Sequence, residues 1–188
     1  MIIAITGCIG SGKSYLLSLI HQKYHYEIYS SDEFVQEAYQ NPQIMKNLDL
    51  KFHCLMDGKI NKDIIKSQLN DQTIMELNQI LHPYVLKKIQ TIKLEKKSVL
   101  VFIEVPLLFE TNMDKIFDFT IVVSVLDETR HQKLYQRNPQ QYFNMLQLEK
   151  YQFTNDEKKA KADFIVESEF DDYENLKQID KIIQQIRK

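Results

Sequence analysis

The sequence predicts a three-layer α/β/α domain built on a parallel central sheet. Short apolar runs rich in β-branched residues recur along the chain, and amphipathic helical patterns separate them. Strands that alternate with helices in this way form parallel sheets with helices on both faces. The chain has 188 residues, enough for one such domain but hardly for two large ones. We therefore expect a single domain over residues 1–188.

The first predicted strand is Ile2–Thr6, a continuously apolar run of the kind that is buried on both faces of a sheet. From Lys13 to about Lys23 the apolar residues recur at helical spacing, so a helix follows. A second strand is expected near Tyr26–Ser30, and a second helix begins near Asp32. The glycine-rich segment before Lys13 therefore joins a strand to a helix.

The middle of the chain has a different pattern. Residues from Pro42 to Lys97 are mostly helical and amphipathic, with predicted interruptions at the turn Met56–Lys59 and at His82–Pro83. We interpret about residues 42–98 as a helical insertion between strands. A polar, lysine-rich segment at about 127–161 follows later. The remaining elements are predicted as strands at Val99–Val105, Phe119–Val125 and Phe164–Glu167, and a closing helix at Tyr173–Lys188.

The composition limits the classes of partner. Lys and Arg number 24 and Asp and Glu 26, so the formal net charge of -2 gives no general attraction to nucleic acid or anionic membranes. No apolar run approaches the length that spans a bilayer, and no signal-peptide pattern is present. Cys8 and Cys54 form no CxxC pair, which argues against a zinc site. We expect a cytoplasmic protein, monomeric or weakly self-associating, with neither nucleic-acid nor membrane partners.

The glycine-rich segment carries a phosphate-binding pattern. Gly7, Gly12, Lys13 and Ser14 match G-x-x-x-x-G-K-[ST] between a strand and a helix. In that setting the backbone N–H groups point at one anion, Lys13 reaches the β- and γ-phosphates, and the Ser14 hydroxyl helps to hold Mg²⁺. This predicts a P-loop NTPase fold that binds ATP and Mg²⁺. The predicted ATP-binding residues in the loop are Cys8, Ile9, Gly10, Ser11, Gly12, Lys13, Ser14 and Tyr15.

A triphosphate site leaves the class of protein open. The segment Asn61–Ile64 resembles the guanine-reading N-K-x-D pattern but lacks its final Asp, which disfavours a GTPase. A motor ATPase needs a larger chain. A small kinase needs an acceptor site and a lid that excludes water from the transferred phosphoryl group. The helical insertion and the basic segment fit those two parts, although a nucleotide-binding regulatory module without catalysis stays open.

Two carboxylates are candidates for the chemistry. Asp32 follows the second strand, and parallel sheets bind ligands at the carboxyl ends of their strands. It could accept the proton of an attacking hydroxyl, or it could merely cap the following helix. Glu104 ends an apolar strand and could act on Mg²⁺ through water, or could simply be solvated. The Cys8 thiol could ionise beside the helix terminus, but we interpret it as a tolerated small residue.

Five segments carry a family resemblance: TGCIGSGKS, SSDEF, ILHPYV, EVPLLFE and ADFIVES. In their order and approximate spacing they resemble the dephospho-CoA kinase family, from Ile3 to about Ser168. The resemblance implies transfer of the γ-phosphoryl group of ATP to the ribose 3′-hydroxyl of dephospho-CoA, the last step of coenzyme A synthesis. It also implies that Asp32 is the catalytic acid-base residue. Another small-molecule P-loop kinase, of nucleotide or shikimate type, is the alternative.

The same resemblance implies further roles. Arg137 matches a lid arginine that contacts ATP phosphates, and Gln152 and Lys158 match the end of the lid, although the lysine run around Lys158 otherwise predicts a solvated helix face. His82 is placed near the acceptor, the alternative being a helix-terminal histidine. The implied catalytic residues are Asp32, Lys13 and Arg137, and the implied acceptor-binding residues are Asp32, Lys62, His82, Pro106 and Leu107.

Several positions depart from the family pattern. Ser30 replaces an aspartate, Ser168 replaces an asparagine, and Gln36 and Leu148 stand where arginines are usual. Lys133 or Lys150 could replace a missing arginine, although an ammonium group does not reproduce a bidentate guanidinium. From the sequence we expect Lys150→Ala to lower phosphoryl transfer more than ATP binding.

Overall fold

The computed structural model describes residues 1–96, 100–168 and 171–187. The elements are, in chain order, β1 (Ile2–Thr6), α1 (Lys13–Tyr24), β2 (Glu27–Ser30), α2 (Ser31–Ala38), α3 (Pro42–Phe52), β3 (Leu55–Met56), β4 (Lys59–Ile60), α4 (Lys62–Ser67), α5 (Asp71–Glu95), β5 (Val101–Glu104), a 3-10 turn (Asp114–Ile116), β6 (Phe119–Ser124), α6 (Asp127–Arg137), α7 (Pro139–Glu149), α8 (Asn155–Lys161), β7 (Phe164–Glu167) and α9 (Asp172–Ile186).

Among the described residues, a sheet in the order β2-β5-β1-β6-β7 forms the centre of the fold. Its pairings of β1 with β5, β1 with β6, and β6 with β7 are parallel. The central strand β1 is buried along its whole length, which its continuously apolar sequence predicted. Ile5 pairs with Glu104, so β1 and β5 end side by side at the edge where the glycine-rich loop begins. The prediction of a parallel sheet flanked by helices is confirmed.

The chain forms two compact units, and the first comprises Met1–Tyr29 and Lys96–Lys188. Its hydrophobic core joins the sheet to α1 and α9, and burial of these large aliphatic side chains is its main source of stability. Members of this core include Ile3, Ile5, Leu16, Ile20, Phe102, Ile121, Val166, Ile179 and Ile183.

The second unit, Ser30–Glu95, contains helices α2 to α5 and the β3-β4 hairpin. Its own core includes Ala38, Leu48, Phe52, Ile65 and Leu81. The turn predicted at Met56–Lys59 is the turn of the hairpin. Asp57 and Gly58 have φ values of 50° and 73°, the left-handed conformation that two-residue hairpin turns require.

The predicted break at His82–Pro83 is wrong. Helix α5 continues through Pro83 from Asp71 to Glu95. Proline removes only one helical hydrogen bond, and the buried residues Leu81 and Val85 stabilise the helix on both sides of it.

The remaining helix and strand predictions agree with the structure to within one or two residues. Val99, at the start of a predicted strand, and Lys188, at the end of the predicted closing helix, lie outside the described residues. Within the described part of the chain, no helix is long and apolar enough to cross a membrane.

Candidate active site

The glycine-rich segment forms the loop between β1 and α1. Gly7, Gly10 and Gly12 have φ values of 149°, 81° and 89°, which L side chains rarely adopt. A side chain at two of these positions would also clash with neighbouring atoms. A Cβ on Gly7 would lie 2.4 Å from the Val123 carbonyl oxygen, and one on Gly10 would lie 2.7 Å from Leu134 Cγ. The glycines therefore allow the loop to pass close to β6 and α6.

Lys13 stands at the first position of α1, and its side chain is buried. Its ammonium group donates to the carbonyl oxygens of Gly7, at 2.9 Å, and Cys8, at 3.0 Å. The loop thus wraps around this ammonium group at a helix N-terminus, where backbone dipoles favour an anion.

A cleft of about 210 Å³ opens beside the loop. Helix α6 contributes Lys133 and Arg137, four residues apart and so on one helix face. With Lys13 they give the cleft three cationic side chains, which suits a polyphosphate. The cleft is lined by Gly10, Gly12, Lys13, Ser14, Tyr15, Lys133, Leu134 and Arg137.

Three of the predicted ATP-binding residues do not line this cleft: Cys8, Ile9 and Ser11. Tyr15 does, and its hydroxyl donates to the Asp172 carboxylate at 2.7 Å, which fixes the ring at the cleft edge. Ser11 is buried, and its backbone N–H donates to the Cys8 carbonyl oxygen at 3.1 Å. The loop therefore turns sharply between Cys8 and Ser11, and the cleft is lined by Gly10 and by the residues from Gly12 to Tyr15.

Ser14 and Glu104 meet at the carboxyl edge of the sheet. The Ser14 hydroxyl lies 3.1 Å from each carboxylate oxygen of Glu104. Mg²⁺ prefers hard oxygen ligands and usually takes one or two carboxylates, waters and substrate phosphates. The described residues contain no cluster of three or more acidic, histidine or cysteine ligands, so a full protein cage is not found there. A hydroxyl and a carboxylate beside a phosphate-binding loop fit this sparse type of magnesium site.

Cys8 is a residue of the loop and its side chain is buried, with Sγ 3.7 Å from the Phe153 carbonyl oxygen. Burial raises the pKa of its thiol, outweighing the lowering effect of Arg130 and Lys158. The thiol therefore stays protonated at neutral pH, which supports its interpretation as a small packing residue.

Arg130 is a residue to which the sequence assigned no role. Its guanidinium donates to the Ile9 carbonyl oxygen at 3.0 Å and to Asp127 at 2.8 Å, and it also pairs with Glu149. Burial alone would lower the pKa of Arg130, but the two carboxylates raise it. An arginine in a polar helical segment is expected to be exposed to solvent. Only the structure shows that Arg130 is buried, with 2% of its surface exposed.

Lys158 is fully buried, so the solvated helix face predicted from its lysine run is wrong for this residue, although Lys161 of the same run is exposed. Its ammonium group donates to the Pro106 carbonyl oxygen and pairs with Glu110, both at 2.8 Å. Glu110 also accepts from the Phe153 backbone N–H at 2.7 Å. Lys158 thus joins α8 to the loop after β5, where Pro106 and Leu107 lie half-buried, and it does not line the cleft.

The second unit carries the other candidates. Ser30 is the N-cap of α2 and accepts from the Asp32 backbone N–H at 3.2 Å, so Asp32 is not the capping residue. Asp32 is exposed in the first turn, and Gln36 follows one turn later on the same face. Lys62 donates to the Gln36 side-chain oxygen and lies 5.0 Å from the ring centre of Tyr39. A carboxylate and a cation therefore belong to one exposed face of this unit.

His82 lies in the interior of α5, so its interpretation as a helix-terminal histidine is wrong. It is half-buried, and burial lowers the pKa of its imidazole. The ring is therefore neutral at physiological pH and suits hydrogen bonding better than charge pairing.

Over most of its length the chain is similar to a described family and to curated proteins. A family model described as dephospho-CoA kinase matches residues 1–172. A dephospho-CoA kinase of Rickettsia felis is 32% identical over 186 residues, covering 96% of this chain and 95% of the relative. One of Fusobacterium nucleatum is 26% identical over 191 residues, covering 99% and 98%.

Solved structures show the same fold. TT1252 from Thermus thermophilus superposes with a TM-score of 0.85 at 24% identity, covering 98% of this chain and 96% of that one. A dephospho-CoA kinase from Campylobacter jejuni gives 0.68 at 24% identity with the same coverage. A shikimate kinase from Aquifex aeolicus gives 0.55 at 19% identity, again covering 98% and 96%.

Proposed function

The chain belongs to the dephospho-CoA kinase family, and we propose how its residues carry out the transfer from ATP to the ribose 3′-hydroxyl of dephospho-CoA. The observation that supports this assignment best is the cleft, where the phosphate-binding loop faces Lys133 and Arg137. A loop that offers backbone N–H groups, opposite cations from another helix, is arranged to bind a triphosphate and stabilise its transfer.

At the phosphate end, Lys13 binds the β- and γ-phosphates. Arg137 neutralises charge on the equatorial oxygens of the transferred group as the bond to ADP breaks. Ser14 and Glu104 would hold Mg²⁺, and the ion would offset phosphate charge there. Tyr15 contacts the nucleotide at the cleft edge. Cys8, Ile9 and Ser11 lie on the side of the loop away from the cleft and stabilise its conformation. The sequence had predicted that they contact ATP directly.

At the acceptor end, Asp32 accepts the proton of the attacking 3′-hydroxyl. Its exposure supports this assignment, as does the finding that Ser30, not Asp32, is the N-cap of α2. Lys62, held by Gln36 and Tyr39, contributes positive charge for the anionic acceptor. Neutral His82, with Pro106 and Leu107, completes the acceptor-binding set.

The organisation of the protein is part of the proposal. We propose one kinase domain with a helical acceptor-binding insertion at about 42–98, acting as a cytoplasmic monomer. Within the lid at about 127–161, α7 is the part that moves most readily, because no residue of it is buried. Helices α6 and α8 are anchored by buried Arg130, Leu134 and Lys158.

The reaction is tested by measuring ADP production from Mg-ATP with and without dephospho-CoA, using adenosine monophosphate and shikimate as control acceptors. We expect stimulation by dephospho-CoA alone. Stimulation by a control acceptor would instead favour a nucleotide or shikimate kinase. ATP binding without any stimulation would favour a regulatory module that has lost catalysis.

Lys133 is the lysine that we expect to replace the missing arginine at position 148. It lines the cleft, whereas Lys150 donates to Gln147 at 2.7 Å and does not line it. Lys133→Ala should lower kcat/KM for ATP by about 10-fold, the effect of losing one charge-assisted hydrogen bond. Lys150→Ala, contrary to the expectation from the sequence, should leave it within about 2-fold. Equal losses in both variants would contradict this choice.

His82 predicts a pH dependence of stability. Because its pKa is lowered in the folded protein, the unfolded chain binds the proton more readily. The free energy of unfolding should therefore fall as the pH drops below about 6.5 toward the lowered pKa. Urea unfolding of the wild type and His82→Gln at several pH values measures this, and the variant should show the smaller fall. An identical pH dependence in both proteins would exclude His82 as the cause.

A further inference from the structure

The backbone N–H and carbonyl groups of Ile9, in the phosphate-binding loop, both form hydrogen bonds with the polar, lysine-rich segment at about 127–161. The Ile9 N–H donates to the Gln152 side-chain oxygen at 3.1 Å. The Ile9 carbonyl oxygen accepts from Arg130 Nη1 at 3.0 Å. The two contacts come from opposite ends of the segment, since Arg130 lies in α6 and Gln152 follows α7.

Arg130 is itself held firmly. Its Nε and Nη2 donate to Asp127 Oδ1 at 3.1 and 2.8 Å, Nη2 pairs with Glu149, and His131 Nε2 lies 3.2 Å from Nη2. A buried guanidinium fixed by two carboxylates has little freedom, so the hydrogen bond to Ile9 is a rigid one.

These contacts act on the turn that aims the loop at the cleft. Ile9 and Gly10 are the central residues of the turn closed by the hydrogen bond from Ser11 N–H to the Cys8 carbonyl oxygen. Leu134, one helical turn after Arg130, packs against Gly10. Because the Ile9 N–H donates to Gln152 and its carbonyl oxygen accepts from Arg130, the Ile9 peptide groups are engaged away from the cleft, which Ile9 does not line.

We propose that Arg130 and Gln152 are positioning residues that clamp Ile9 and so hold the phosphate-binding loop in its phosphate-binding conformation. The proposal rests on the proposed function, because it assumes that the cleft binds ATP. It also gives Gln152 a role distinct from contact with the nucleotide. Helix α6 therefore contacts the phosphate-binding loop in two ways. Arg130 binds Ile9 away from the cleft, and Lys133 and Arg137 line the cleft itself.

The test is the affinity for a non-hydrolysable ATP analogue, Mg-AMP-PNP, measured by calorimetry. Gln152→Met removes one neutral acceptor and no charge, and should raise the Kd by about 3-fold to 10-fold. Arg130→Lys keeps the charge between the carboxylates but loses the fork that also reaches Ile9, and should raise it similarly. Gln147→Met, the same substitution on an exposed glutamine of α7, is the matched control and should leave the Kd unchanged.

Two further readouts separate positioning from a general loss of structure. The Kd for dephospho-CoA should stay unchanged in every variant, whereas general unfolding would affect both ligands. The double variant should depart from the product of the single effects, because both residues hold the same peptide. If Gln152→Met is folded and binds Mg-AMP-PNP as the wild type does, the clamp is wrong. If the variants behave as expected but the wild type makes no ADP with dephospho-CoA, the clamp stands and the proposed reaction fails.

Discussion

Asp32→Asn should lower the turnover of dephospho-CoA by about 10²-fold to 10⁴-fold, the usual contribution of a general base. The amide cannot accept the proton of the attacking hydroxyl, but it preserves the size and polarity of the side chain. The Kd for ATP should change little, because Asp32 belongs to neither the loop nor the cleft lining. Single-turnover kinetics with saturating ATP measures the chemical step directly.

Glu33→Gln is the matched control for this prediction. Glu33 is the neighbouring exposed carboxylate in the first turn of α2, so both variants remove one negative charge from the same helix terminus. Each should alter stability by at most about 1 kcal/mol through the helix dipole. Near-normal turnover in Asp32→Asn, or an equal loss in Glu33→Gln, would reduce Asp32 to a contributor to helix stability.

Lys13→Ala should raise the Kd for Mg-ATP by about 10-fold to 150-fold, the range for losing a hydrogen bond to a charged group. The Lys13 ammonium group is held at the N-terminus of α1 by hydrogen bonds to the carbonyl oxygens of Gly7 and Cys8, so it is in position before the nucleotide binds. Turnover at saturating ATP should fall further, because the same charge stabilises the departing phosphates. Calorimetry gives the Kd, and steady-state ADP production gives the turnover.

Lys23→Ala provides the control in the same helix. Lys23 lies in the last turn of α1 and forms an exposed ion pair with Asp180 at 2.9 Å, so its loss should cost little stability and no ATP affinity. Thermal unfolding of Lys13→Ala is needed as well, since the buried side chain also supports the loop. Full ATP affinity in folded Lys13→Ala would contradict the assignment of the phosphate-binding loop.

The elements that the sequence predicted well are those with a strong local signal. The apolar run Ile2–Thr6 is β1 to the residue. The pattern from Gly7 to Ser14 forms the loop between β1 and α1 together with the first two residues of α1. In both cases the residues needed are adjacent in the chain, so propensity, burial and glycine geometry act together. The break expected at Pro83 failed because tertiary burial of α5 outweighed a local preference.

The sequence by itself determined the class of fold, the phosphate-binding loop and the family resemblance, because each depends on spacing along the chain. Only the tertiary structure decided which charges serve the site. Lys133 faces the cleft, Lys158 is buried against Glu110, and Arg130 holds Ile9, yet all three occur in one polar segment with similar local sequence. The difference arises from partners far along the chain: Pro106 is 52 residues from Lys158, and Ile9 is 121 residues from Arg130. Packing over such separations has no local pattern.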